Sequence, residues 1–325
     1  FILLRNRAVT TVTPEKKEPI RYATRVESNL ANEGDETQNE TDKVNSYSNL
    51  SVLTQLNRVN GTYFLVDCYH NQILYNDNLT DPIIDWKVMT RDMNLGHTIA
   101  SDGTVYLVDD TENARILVFE KTGEDFVLTQ IMDNVGVRPH YIVYNETDAL
   151  FYAWSSMTGE MYRLKRDPED TDVYLQDVLR VEALNGIYIR SFYIEGDSIY
   201  LISGNAVITV VNKDTFEVTE TIPVPESISG MANLIHIGSY YYITVSTDLA
   251  GNQDAATFIR TKDLHNLING DYEDIYSLFI GGGTPYNITR LDNTYYLTEH
   301  RLEGHALWSF QVDENDNIIH VTAIY

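Results

Sequence analysis

Short runs of apolar and aromatic residues, bounded by Asn-Gly, Asp-Gly, Glu-Gly-Asp or Ile-Gly-Ser turns, recur from about Leu53 to the end of the chain. The clearest copies read Asn60-Gly61-Thr62-Tyr63-Phe64-Leu65-Val66-Asp67 and Asp102-Gly103-Thr104-Val105-Tyr106-Leu107-Val108-Asp109, and looser ones surround Phe151, Tyr200, Tyr242 and Tyr296. The aromatics that open the runs, Phe64, Tyr106, Phe151, Tyr200, Tyr242 and Tyr296, stand 42, 45, 49, 42 and 54 residues apart. Helical spacing is nearly absent, and the runs are rich in Tyr, Val, Ile and Thr, so they read as strands. Strand-built repeats of this length are the size of a four-stranded propeller blade.

A lone four-stranded sheet leaves backbone unpaired at both edges and half-buries its faces; a radial arrangement covers the faces and leaves short edges. The expected fold is therefore all-β, a six-bladed β-propeller over residues 51–325, preceded by a flexible tether over residues 1–50. The tether reading follows from the polar run of residues 8–49, whose apolar content is too low to offset its ordering entropy. A short strand is expected within it at residues 20–26. The 54-residue interval implies an insertion at residues 261–279. There Leu264, Leu267 and Ile268 after Asp263 and before Gly270 predict a short capped helix. Gly281-Gly282-Gly283 lacks a following Lys-Ser/Thr and reads as a turn before the last blade, not a phosphate loop.

The run Asp109-Asp110-Thr111-Glu112-Asn113-Ala114-Arg115-Ile116 resembles an NHL repeat, in which a strand is followed by Asp-x-x-x-Asn-x-Arg-Ile and another strand; Asp67, Asn71 and Ile73 echo it. The resemblance implies a six-bladed propeller and assigns Asp109 and Asn113 a structural role in bracing the turn.

Composition narrows the partners. The 325 residues carry 23 basic and 48 acidic side chains, a net charge of −25. This disfavours nucleic acid and anionic lipid, both of which need a concentrated basic surface. The single cysteine, Cys68, excludes a disulfide framework and a cysteine-rich zinc module. The opening Phe1-Ile2-Leu3-Leu4 before Arg5 and Arg7 fits the tail of a removed signal or a membrane tether, and equally an arbitrary starting point. Asn-x-Ser/Thr sequons at Asn39, Asn49, Asn60, Asn78, Asn145 and Asn287 are compatible with export, so an extracytoplasmic or cell-surface location and a monomer are expected.

Candidate chemistry sits where the innermost strands meet the axis. Residues at one phase before the opening aromatics are Gln55, His97, His140, Arg190, Asn233 and Tyr286. Three readings stay open. The ring is simply a wet channel; or it binds a small molecule, glycan, peptide or protein partner without catalysis, through His97, His140, Arg190, Asn233 and Tyr286; or it is a metal-dependent lyase or hydrolase with zinc on His97 and His140, as in the six-bladed peptide-amidating lyases. The binding reading needs no cofactor. Asp109-Asp110 and Glu299-His300 offer calcium ligands or an acid and base of the kind propeller lactonases use, but such enzymes need carboxylates converging on the channel floor, where this phase places amides and histidines instead. Cys68 lacks an evident basic partner, and Trp154 and Trp308 read as blade core.

Overall fold

The structure, a computed structural model, describes residues 50–325 apart from 204 and 303, together with the backbone of Thr24–Arg25. Six antiparallel sheets, each a meander of four consecutive strands, form the six-bladed propeller. The inner strands are Leu53–Val59, Ile99–Ser101, Pro139–Asn145, Ile189–Glu195, Gly230–Ile237 and Thr284–Leu291. The second strands are Thr62–Asp67, Val105–Asp110, Leu150–Ser155, Ser198–Ser203, Tyr240–Thr247 and Thr294–His300, and each contains one of the opening aromatics.

Why these runs are so apolar follows from where they lie. The core is divided into clusters, each between two adjacent blades. In the second blade Val105 and Leu107 pack toward Phe151 and Ala153 of the third, while Tyr106 and Val108 pack toward Phe64 and Val66 of the first. A second strand thus buries both faces, and the usual alternation of apolar and polar residues gives way to a continuous apolar run. Outer strands have water on one side, and Val218–Pro223 is exposed at five of its six positions.

The first blade uses the first four propeller strands and the sixth the last four, so the ring closes without a shared strand. Side chains close it instead. Leu53, Leu56, Leu65, Leu74 and Trp86 of the first blade pack with Leu307, Tyr296 and Tyr325 of the sixth. The Thr289 hydroxyl donates to the Leu56 carbonyl at 2.7 Å, Arg58 pairs with Asp292 at 2.7 Å, and the Tyr325 hydroxyl donates to the Leu79 and Asp81 carbonyls. The strand expected at residues 20–26 is found over Thr24–Arg25, where it adds a fifth strand to the second blade by pairing with Asp125–Met132. The rest of the segment read as a tether, with Asn39 and Asn49, lies outside the described residues.

The insertion at 261–279 contains a 3₁₀ helix, Leu264–Asn269, rather than an α-turn; Asp263 accepts the His265 amide and Gly270, at φ 76°, ends it in the left-handed region as expected. Leu264 and Leu267 anchor it to the junction of blades four and five. In the turn that follows Val105–Asp110 the bracing residue is Asp110 rather than the expected Asp109: it accepts from Asn113 Nδ2 at 3.0 Å and pairs with Arg115. Asp109 is structural too, but at the start of its own blade's inner strand, where it accepts the His97 amide at 2.6 Å, the Thr98 amide at 2.9 Å and the Thr98 hydroxyl at 2.6 Å. Trp154 and Trp308 are buried in blade core. Asn287 is 3% exposed, so among the sequons it cannot carry a glycan in the folded protein, whereas Asn60 and Asn78 are exposed.

Candidate functional site: a basic channel mouth

Adjacent inner strands belong to different sheets, so their junctions are made by side chains. Thr54 donates to the His97 carbonyl at 2.9 Å, Ile142 N donates to Thr98 Oγ1 at 3.0 Å, His140 Nδ1 to the Arg190 carbonyl at 3.0 Å, and Ser191 to the Ala232 carbonyl at 2.6 Å. Two of the residues expected at the mouth serve this purpose instead. Gln55 accepts the Ile99 amide at 2.8 Å, and Asn233 accepts the Ile288 amide at 3.1 Å while donating to the Tyr141 hydroxyl at 3.2 Å.

The cause is a one-residue offset at a bulge. In five of the inner strands the ladder to the second strand skips at the same level, between Leu53 and Gln55, Pro139 and Tyr141, Ile189 and Ser191, Met231 and Asn233, and Pro285 and Ile288. His140 and Arg190 are skipped residues and face the mouth, whereas Gln55 and Asn233 lie one residue later, in the ladder opposite Val66 and Thr244. One extra residue reverses the side-chain phase.

The mouth is a pocket of about 460 Å³ at the end where the inner strands begin. His97, His140, Arg190 and Tyr286 line it as expected, and Gln55 and Asn233 do not. Arg138, Tyr188, His300 and Arg301 line it as well, which the sequence reading missed. Tyr188 stands two residues before Arg190, so the parity of an extended chain would have found it, whereas Arg138 reaches the mouth through a left-handed turn that breaks that parity. Arg138 and Arg301 adopt left-handed backbone, at φ 57° and 63°, a conformation that costs a non-glycine residue about 1 kcal/mol or more. Gly283 is needed just below: a Cβ there would lie 2.8 Å from the His300 carbonyl oxygen and 2.9 Å from Leu302 Cβ.

The aromatic wall is tightly packed. The rings of His97 and His140 stack with centroids 3.7 Å apart, Tyr286 lies 6.5 Å from His97 and 4.8 Å from His300, and Tyr188 meets His140 edge-on at 5.8 Å. Since His140 Nδ1 donates to a carbonyl, its Nε2 accepts from the Tyr188 hydroxyl, at 3.0 Å, and the ring is neutral. Burial, with Arg190 adding to it, pushes His140 down to about 3; burial pushes His300 down to about 3 as well, helped by Arg190 and Arg301. His97 is lowered in the same direction by burial and by His140. The Thr111 hydroxyl donates to the Pro139 carbonyl at 2.8 Å and so accepts from His97 Nδ1 at 2.9 Å. Burial raises the Tyr286 phenol, which stays a donor.

These imidazoles do not fit zinc. Stacked rings point their nitrogens along parallel planes rather than at a common point, and both nitrogens of His140 already have partners. Among the described residues no group of three or more His, Cys, Asp or Glu is placed to hold a metal ion. Cys68 does have a basic neighbour, with Sγ 3.8 Å from His97 Nε2, yet burial and the charges of Asp109 and Asp67 push its thiol far up and keep it protonated. Glu299 is turned into the blade, where Tyr276 and Trp308 donate to it at 2.5 and 3.0 Å.

Charge decides what the pocket can hold. Three guanidiniums line it and no carboxylate does, among the described residues. Arg190 donates to the Ser246 hydroxyl and lies 5.5 Å from the Tyr188 ring; Arg301 donates to Thr284 Oγ1 at 2.6 Å and the Gln253 carbonyl at 2.9 Å; neither pairs with a carboxylate among the described residues. Arg138 alone is paired, with Glu112.

No family model and no curated protein matches the chain by sequence. Solved structures do match it in fold. A putative 6-phosphogluconolactonase from Bacteroides uniformis aligns with a TM-score of 0.57 at 14% identity, over 81% of this chain and 81% of its own. Another from Bacteroides fragilis aligns with a TM-score of 0.58 at 12% identity, over 83% and 82%. The dihydro-heme d1 dehydrogenase NirN aligns at 0.51 and 12% identity, over 84% of this chain and 56% of its own. At such identities the likeness is one of architecture, and the chain is a six-bladed β-propeller.

Proposed function

We propose that this propeller is a binding protein, acting outside the cytoplasm, whose mouth captures a small anionic ligand. The observation that carries the reading is the pocket of about 460 Å³ with three arginines and no lining carboxylate, on a chain of net charge −25. The volume falls in the usual range for small-molecule sites, and guanidiniums recognise carboxylate or phosphate with paired donors. Tyr286 supplies a hydroxyl donor and both Tyr188 and Tyr286 supply ring faces beside them. The imidazoles contribute shape and neutral hydrogen bonding, since burial keeps them uncharged at neutral pH. Binding without catalysis is favoured because the nearby carboxylates, Asp109 and Glu299, are consumed by structural hydrogen bonds.

The test is calorimetry with inorganic phosphate, acetate, gluconate and 6-phosphogluconate, the last suggested by the names of two structural neighbours. Binding should weaken as salt rises, and Arg190→Ala should weaken it by about tenfold or more, the worth of one charge-assisted hydrogen bond, with the thermal midpoint unchanged. Absence of heat with all four anions, or affinity untouched by Arg190→Ala, would refute the reading.

A further inference from the structure

The pocket continues past Arg190. A second cavity of about 350 Å³ shares Tyr188, Arg190 and Thr247 with the mouth and lies over the junction of the fourth and fifth blades. Its character differs from that of the mouth. Ile187, Met231 and Leu249 line it with Gly186, Gly230 and Gly251, and apart from the shared Arg190 its one charged residue among those described is Asp248. The Asp248 carboxylate accepts the Asn252 amide of its own loop at 2.8 Å. Leu249 is 45% exposed, an apolar side chain held in water at the rim of the groove.

A basic pit joined through one shared arginine to a partly apolar groove, whose one other charged residue among those described is Asp248, specifies a ligand with two unlike ends. Resting on the anion-binding reading of the mouth, we infer that the ligand is an amphipathic acid. Its single anionic head meets Arg190 and Arg301, and its uncharged body lies along Ile187 and Leu249. A polyanion would leave charge in the groove beside Asp248, where no cation other than Arg190 lines the wall among the described residues. A simple inorganic anion would leave Leu249 in water.

The experiment is calorimetry on the intact protein with acetate, butyrate, hexanoate, 4-phenylbutyrate and 4-phenylbutyramide. Affinity should rise about threefold for each methylene laid in the groove, close to the value of burying one. The amide should lose at least tenfold. Leu249→Ser, an exposed loop change, should flatten the series. If acetate and phosphate bind but hexanoate binds no tighter, the inference falls and the anion site stands. If neither acetate nor phosphate binds, the anion site itself is wrong. A series that rises equally in Leu249→Ser places the tail elsewhere and overturns the assignment.

Discussion

Acid should unfold this protein earlier than its acidic composition suggests, because the mouth is built on imidazoles that must stay neutral. His140 titrates at about 3 in the fold against an ordinary 6.5. Above 6.5 neither the folded nor the unfolded state protonates it, and no stability depends on it; below 6.5 the unfolded chain takes up a proton that the fold refuses. Between pH 7 and pH 5 this costs about 2 kcal/mol for His140. His300, also at about 3, adds about 2 kcal/mol more. Asp109 works the other way: burial raises it from 3.8 to about 7, so across the same window the folded state takes up the proton and gains about 2 kcal/mol. The net of these three is a loss of about 2 kcal/mol; the downward shift of His97 adds to it, and the upward shifts of Glu299 and the exposed His265 subtract from it. The assay is urea unfolding at pH 7, 6 and 5, with imidazole nitrogen shifts read by NMR. Asp109→Asn removes the opposing gain and should make the loss about 4 kcal/mol, provided the variant's own baseline is taken at pH 7. A midpoint that stays level or climbs from pH 7 to 5, or folded imidazoles protonated at pH 5, would refute the argument.

Other outcomes follow from single contacts. Arg163 and Asp177 form a cross-strand pair with side chains 6% and 8% exposed; Asp177→Ala should cost about 3–5 kcal/mol by stranding the guanidinium, whereas replacing both by Met and Leu should be near neutral in the same urea titration. Tyr325→Ala removes the hydroxyl that joins the sixth blade to Leu79 and Asp81 and the ring edge on Trp86, and should cost about 2–3 kcal/mol and speed hydrogen exchange in the first and sixth blades before the others. Gly230→Ala places a Cβ 2.0 Å from Thr247 Oγ1 and 2.5 Å from its carbonyl oxygen; a cost of about 1–3 kcal/mol is expected from thermal unfolding.

The amino-acid sequence determined the number and kind of repeating units. Second strands such as Val105–Asp110 are covered by a blade on each side, so burial writes a continuous apolar run at every repeat, and Phe64, Tyr106, Phe151, Tyr200, Tyr242 and Tyr296 mark it. It also placed His97, His140, Arg190 and Tyr286 at one end of the channel. Only the tertiary structure decided which other residues join them. A bulge changes no hydrophobic pattern yet reverses side-chain phase, so Gln55 and Asn233 became stitches between strands while the mouth took other residues. Arg138 and Arg301 project from left-handed loop positions, and His300 comes from the end of a second strand. Their convergence depends on the closure of six sheets around one axis, which brings together residues from 138 to 301 that no local spacing relates.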